Sequence, residues 1–240
     1  MNKQRLAIVF GGSRGIGAAC VGALAEDGFD VAYTHVSGNS EPPTMSGRRI
    51  RAYRADICNA AEVAQAFADA QADFGQAPHC VVANAGINVP PGPVGQFDPD
   101  NFRRLVEVNI VGAFNILREA AQRVQDGGVI IAVTTSLVRH AVPGVGPYSA
   151  TKAAVECMVR SMSKELAARQ VRVNAVAPGP VDTDLFRAGK TEEAKQRSAA
   201  MSPLNRIGRP EEIGHVVAFV ASEKASWVTG QVIQPNGGLV

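Results

Sequence analysis

Short apolar runs separated by longer amphipathic stretches set the rhythm of this chain. The runs lie near residues 5–10, 30–34, 50–53, 79–83, 128–134, 171–176 and 231–235. Several lack polar alternation, as in Val129-Ile130-Ile131-Ala132-Val133, which is the pattern of strands buried on both faces of a parallel sheet. Helical periodicity fills the gaps near 15–27, 59–74, 99–124, 147–169 and 210–221. In the third of these, Phe102, Leu105, Val106, Ile110, Ala113, Phe114 and Leu117 make one apolar stripe. Strand–helix alternation predicts an α/β fold, a doubly wound parallel sheet of about seven strands with helices on both faces. No internal linker or repeat interrupts it, so 1–240 reads as one domain. Two stretches look irregular: Val36 to Gly47, and Pro178 to about Pro203.

Composition narrows the function. Hydrophobic residues make up 46% of the chain, enough for a sizeable core. The net charge of +2 comes with no basic block, which argues against nucleic acid as a partner. Leu6 to Phe10 is too short for a signal sequence or a membrane span, so a cytoplasmic protein without a membrane partner is expected. Cys20, Cys58, Cys80 and Cys157 are scattered in apolar settings, and no two have metal-ligand spacing. They read as reduced core thiols, and no metal site is predicted.

The first strand runs into Gly11-Gly12-Ser13-Arg14-Gly15-Ile16-Gly17 and then a helix. Glycines there permit a tight turn and let backbone N–H groups approach a pyrophosphate at the helix N-terminus, the device of a Rossmann-type fold. The alternative is a glycine-rich turn without a ligand. An NAD site usually has a carboxylate about 20 residues on. Here the second strand ends Tyr33-Thr34-His35-Val36-Ser37, with no Asp or Glu before Glu41. Arg14 inside the turn suits a 2′-phosphate, so NADP(H) is expected over NAD(H). His35 and Ser37 join Gly11, Ser13, Arg14, Gly15, Ile16 and Gly17 as candidate cofactor contacts.

Tyr148 stands four residues before Lys152, one helical turn, so both side chains share a face. A nearby ammonium favours the phenolate and makes the tyrosine a candidate acid or base near neutral pH. A plain surface pair is the alternative.

These features, with Asn84-Ala85-Gly86 after the fourth strand and Ser136 after the fifth, resemble the short-chain dehydrogenase/reductase family over nearly the whole chain. Asp56-Ile57, Asn109, Pro178-Gly179-Pro180-Val181-Asp182-Thr183 and the tail Thr229-Gly230-Gln231 to Gly237-Gly238 fall in family order. The resemblance implies that Tyr148 is the general acid in carbonyl reduction and that Lys152 lowers its pKa and holds the nicotinamide ribose. Ser136 would hydrogen-bond the substrate oxygen, and Asn109 would kink its helix and hold a water. Asn84, Ala85 and Gly86 would support the central strand and let the cofactor pass. Asp56 and Ile57 would bind adenine. Pro178, Gly179, Val181 and Thr183 would hold the nicotinamide, and the pro-S hydride would be transferred. The resemblance also implies a homotetramer, for which the stripe of 99–124 with Val155, Met158, Val159 and Met162 supplies spare apolar positions.

Four departures stand out. Phe10 replaces the usual threonine, Ala83 the first asparagine of Asn-Asn-Ala-Gly, and Asn236 an aspartate. The gap from Ser136 to Tyr148 is one residue short; Thr135 has the commoner spacing, but Ser136 is preferred because the loop 138–146 tolerates a deletion.

The substrate is expected to be a small-molecule carbonyl or alcohol, in a wall made by Leu137, Val138, His140, Val142, Val145 and Pro180. Residues 187–197 would roof it as a polar lid or a plain surface helix. Chain length and the run Pro203 to Glu212 resemble 3-oxoacyl-carrier-protein reductases, with Arg139, Arg169 and Arg172 as candidate docking residues for an acidic carrier. A broader ketone, quinone, sugar or steroid reductase and a silent NADPH-binding scaffold are the competing readings.

Overall fold

The apolar runs become the strands of one sheet. The computed structural model describes residues 5–36 and 47–240. Strands β1 (Arg5–Phe10), β2 (Phe29–His35), β3 (Ile50–Arg54), β4 (Cys80–Ala83), β5 (Val129–Val133), β6 (Arg172–Val176) and β7 (Val232–Ile233) are ordered β3-β2-β1-β4-β5-β6-β7. All pair in parallel. The predicted doubly wound sheet is therefore present.

Successive side chains on a strand point to opposite faces, so each strand feeds two cores. Leu6, Ile8 and Phe10 of β1 pack with Phe67, Leu117 and Val159 on one face. Ala7 and Val9 pack with Leu24 and Val217 on the other. The first face is covered by α2 (Ala60–Phe74), α4 (Ala113–Arg123) and α5 (Gly146–Glu165), the second by α1 (Gly15–Glu26) and α8 (Pro210–Ala221). Chain order reverses between β1 and β4, which opens a crevice at the C-terminal ends of those strands.

The helical stretch 99–124 is not one helix. α3 (Pro99–Val106) passes through a π turn at Glu107–Gly112 before α4 begins. Of its apolar stripe, Leu105, Ala113 and Leu117 enter the core, whereas Phe102 and Phe114 stay exposed. The stretch thought irregular after Pro178 contains α6 (Asp184–Arg187) and α7 (Glu192–Ala200). The hydroxyl of Thr191 accepts from the Ala194 N–H and caps α7, and Glu192 and Glu193 sit in its first turn, where the helix dipole favours acids. Of the expected roof at 187–197, only residues 192–197 belong to α7, and no residue of that helix is fully buried. Cys20 and Cys80 are core thiols as expected, but Cys58 is half-buried and Cys157 is exposed, because position 157 falls on the outward side of α5. Among the described residues no helix is long and apolar enough to cross a membrane.

Candidate active site

The glycine turn is held from both sides. Gly11 has φ +77°, and its N–H donates to the Thr34 hydroxyl at 3.1 Å. The amide of Asn84 donates to the Gly11 carbonyl at 2.9 Å, and the Ala85 N–H to the Phe10 carbonyl at 2.8 Å. A Cβ on Gly17 would stand 2.0 Å from the Gly11 carbonyl oxygen, so only glycine closes this turn. α1 starts with no side-chain cap and no acidic residue in its first turn, which leaves N–H donors and the positive end of the dipole for an anion. Ser13 and Arg14 are exposed at its mouth and Ile16 is half-buried. His35 Nδ1 is buried and has no hydrogen-bond partner among the described residues. Ser37 lies outside the described residues. A bare glycine cradle, an uncapped helix start and an orphaned imidazole nitrogen fit a phosphorylated dinucleotide.

The other candidate cofactor residues follow the C-terminal ends of β3 and β6. Asp56 Oδ1 accepts from the Cys58 N–H, while the Asp56 N–H donates to Glu62. The Ile57 carbonyl takes the amide of Asn115 at 2.9 Å. Gly112 packs on the same residue, where a Cβ would stand 2.7 Å from Ile57 Cδ1. Sequence reasoning missed Asn115; its signal is a polar residue inside an apolar helix face. Across the crevice, the Pro178 carbonyl accepts from the Ser136 N–H, and the Gly179 N–H donates to the Pro235 carbonyl. Val181 bridges to Gly208, and the Thr183 hydroxyl caps α6. Thr183 reaches the glycine turn, with its Cγ2 3.2 Å from where a Gly15 Cβ would lie.

Asn109 and Lys152 meet at Gly86. A Cβ there would lie 3.0 Å from Asn109 Oδ1 and 3.3 Å from Lys152 Nζ. Asn109 sits in the π turn, accepts from the Ile87 N–H and donates to the Ile87 carbonyl and the Thr151 hydroxyl. Thr151 in turn donates to the Tyr148 carbonyl at 2.7 Å. Lys152 is buried and donates to the Val133 carbonyl at 3.0 Å. Burial pulls its pKa down to about 8. Tyr148 as a residue is half-buried, and burial pushes its phenol up to about 12. The expected lowering of the tyrosine by the lysine is thus corrected: desolvation favours the neutral form of both groups. Near pH 7 this leaves a protonated phenol.

Ser136 is fully buried and gives its hydroxyl proton to the Ala177 carbonyl at 2.8 Å. Its oxygen accepts from the amide of Asn236 at 3.2 Å. A hydroxyl carries one proton, and in this geometry that of Ser136 is committed to Ala177. Thr135 differs: its hydroxyl oxygen accepts from the Leu137 N–H at 3.3 Å, and its own proton remains available.

A family model described as enoyl-(acyl carrier protein) reductase matches residues 11–240. A short-chain type dehydrogenase/reductase of Picea abies is 40% identical, covering 98% of this chain and 92% of its own. The chain belongs to the short-chain dehydrogenase/reductase family. An Arabidopsis thaliana relative named NADPH-dependent aldehyde reductase-like protein, chloroplastic, is 37% identical over 98% of this chain and 94% of its own. Among solved structures, a blue fluorescent protein from a metagenomic library in complex with NADPH superposes with a TM-score of 0.89 at 35% identity, covering 100% of both chains.

Two of the departures of this short-chain dehydrogenase/reductase have structural accounts. Phe10 stacks on Phe67 with centroids 5.2 Å apart, and Thr34 ties the glycine turn from the neighbouring strand instead. Asn236 supplies Ser136 with a donor that aspartate lacks. The proposed carrier-docking arginines are not gathered at the cleft. Arg172 opens β6 and donates to the Val220 and Ser222 carbonyls. Arg169 precedes that strand and is committed to Asp126, Ala121 and Val124. Both therefore lie toward the N-terminal ends of the strands, and only Arg139 follows a strand's C-terminal end.

Leu137, Val138, His140, Val142 and Val145 are half-buried. Their loop meets the segment after β4 through the Gly92 N–H and the Gly144 carbonyl, 3.0 Å apart, and exposed Val94 comes within 3.8 Å of where a Gly146 Cβ would lie. A cavity of about 260 Å³ opens beside Pro180, between Leu204, Arg206, Ile213 and Asn236.

Proposed function

We propose that this protein is an NADP(H)-dependent carbonyl reductase acting on small aldehydes or ketones. The observation that carries the reading is the convergence of Lys152 and Asn109 on Gly86, with Tyr148 one turn away and held protonated by burial. Bound NADPH would supply the hydride. Tyr148 would donate its proton to the carbonyl oxygen. Lys152 would hold the cofactor's ribose hydroxyls, and Asn109 would fix the helix bulge that backs the site. We assign to Thr135 the second hydrogen bond to the substrate oxygen, the role first given to Ser136. Gly11, Ser13, Arg14, Gly15, Ile16 and Gly17 would hold the pyrophosphate and the 2′-phosphate, with His35 beside them. Asp56 and Ile57 would hold adenine, and Asn84, Ala85, Gly86, Pro178, Gly179, Val181 and Thr183 the nicotinamide half.

The names of the Arabidopsis relative and of the NADPH complex support the cofactor. Reduction of 3-oxoacyl thioesters is the narrower reading, favoured by the family model's description. We take residues 1–240 as one dinucleotide-binding domain. A homotetramer is inferred from the exposed Phe102 and Phe114, and a monomeric mass in solution would overturn it. Four unpaired cysteines suit the reducing cytoplasm.

The test follows NADPH consumption with benzaldehyde, cyclohexanone, phenanthrenequinone and acetoacetyl-coenzyme A, for the native protein and Tyr148→Phe. Consumption lost in the variant supports the reading, and the substrate accepted separates carbonyls from thioesters. Tight NADPH binding with no consumption on any of them would leave the silent scaffold.

A further inference from the structure

Glu156 is a buried carboxylate that the proposed proton transfer does not use. It lies on α5 one turn beyond Lys152 and is 5% exposed. Glutamate is rarely this buried without a partner, because desolvating a carboxylate is costly. Its partner is Thr134, whose hydroxyl donates to Glu156 Oε1 at 3.0 Å. Burial pushes the carboxyl's pKa up, while the Thr134 bond and the nearby Arg160 and Arg139 oppose that shift.

Thr134 directly follows β5. Its N–H donates to the Val176 carbonyl at 2.8 Å, which fixes it to β6. One residue earlier, the Val133 carbonyl receives Lys152 Nζ at 3.0 Å. Two side-chain rungs, one helical turn apart on α5, therefore clamp that helix to consecutive residues at the end of β5. In one the helix donates, in the other it accepts. Thr135 and Ser136 come next in the chain, and Tyr148 is on the clamped helix. A leucine at 156 would fill the space without burying charge, but it would leave the second rung unmade and Thr134 without its acceptor.

We propose that Glu156 is a positioning residue: its hydrogen bond with Thr134 fixes the turn carrying the Thr135 hydroxyl against the helix carrying Tyr148. This rests on the carbonyl-reductase reading for its consequence in turnover, although the clamp itself is independent of it. Gln at 156 keeps the acceptor oxygen, so the bond rather than the charge is what matters.

The experiment compares Glu156→Gln, Glu156→Leu, Thr134→Val and the double variant Thr134→Val/Glu156→Leu. Hydrogen exchange of the amides of residues 136–140 is measured in each, together with kcat and the KM values for NADPH and for whichever of the four carbonyl probes the native protein reduces. Exchange is expected to quicken in Glu156→Leu and Thr134→Val and to stay native in Glu156→Gln. Turnover should fall on the order of tenfold in Glu156→Leu and in Thr134→Val with KM for NADPH unchanged, as a misplaced reacting group produces. The double variant should be no worse than either single, as for two partners in one bond. Native exchange rates in Glu156→Leu and Thr134→Val, a Gln variant as impaired as Leu, or multiplied losses in the double variant would each overturn the proposal. If the native protein reduces none of the probes, the carbonyl-reductase reading fails, and the exchange rates alone decide the clamp.

Discussion

Asn236 and Ser136, 100 residues apart in the chain, are joined by a hydrogen bond of 3.2 Å in which the amide donates to the hydroxyl. Together with the bond from Ser136 to the Ala177 carbonyl, it makes Ser136 part of the scaffold that fastens the tail to β6. The hydroxyl beside it, on Thr135, keeps its proton. Thr135→Val, which removes the hydroxyl at nearly constant shape, is expected to lower kcat on the order of a hundredfold, the effect of deleting one donor to a developing oxyanion. Ser136→Ala should leave kcat within a few-fold and lower thermal stability instead. Steady-state kinetics and melting curves of the two variants check this, and the reverse ranking of kcat would return the role to Ser136.

Burial of Lys152 couples the site to stability. Its pKa falls from 10.5 to about 8 in the fold, so between those values the unfolded chain binds a proton that the native state has released. Stability must then rise with pH across that window, by about 3 kcal/mol in all. Tyr148 acts in the opposite sense at higher pH. Its native pKa of about 12 exceeds the ordinary 10.0, so the native state keeps a proton that the unfolded chain loses, and stability falls over that range. Lys152→Met is expected to raise the urea midpoint near pH 7, to flatten the rise above pH 8, and to abolish turnover. Equal midpoints for native and variant across the range would show that the ammonium is not desolvated in solution.

The sheet was legible because strands buried on both faces read as unbroken apolar runs, and β1 and β5 fall where those runs lie. The glycine turn and the Tyr148–Lys152 pair were legible for a related reason: both are local, within one turn of chain. What escaped depends on contacts between distant segments. The bond from Gly11 to Thr34 crosses from one strand to the next, and neither residue signals it alone. The kink implied at Asn109 is a π turn, which adds backbone without breaking the apolar periodicity around it, so its form rather than its place went unread. Arg169 and Arg172 were misplaced although the sequence held the signal: one precedes and the other opens β6, and in a parallel sheet the ligand crevice lies at the opposite, C-terminal ends of the strands. The choice between Thr135 and Ser136 turned on where one proton points, and only Ala177, some forty residues on, determines that.

We expect cofactor preference to turn on two side chains. Arg14 is exposed beside the glycine turn and forms no ion pair among the described residues. It is therefore free to pair with a 2′-phosphate in a charge-assisted bond. His35 ends β2, 20 residues after Gly15 counted along the chain, the place where a carboxylate would accept from ribose hydroxyls and repel that phosphate. Arg14→Ala should weaken NADPH on the order of tenfold and leave NADH nearly unchanged, since about 1.4 kcal/mol of charge pairing is lost only with the phosphate. His35→Asp should go further and reverse the preference, because it adds both an acceptor for the hydroxyls and a repulsion against the phosphate. Fluorescence titration of the native protein and both variants with each cofactor measures the four ratios needed. If Arg14→Ala weakens NADPH and NADH equally, the guanidinium binds the shared pyrophosphate, and discrimination must come from elsewhere around β2.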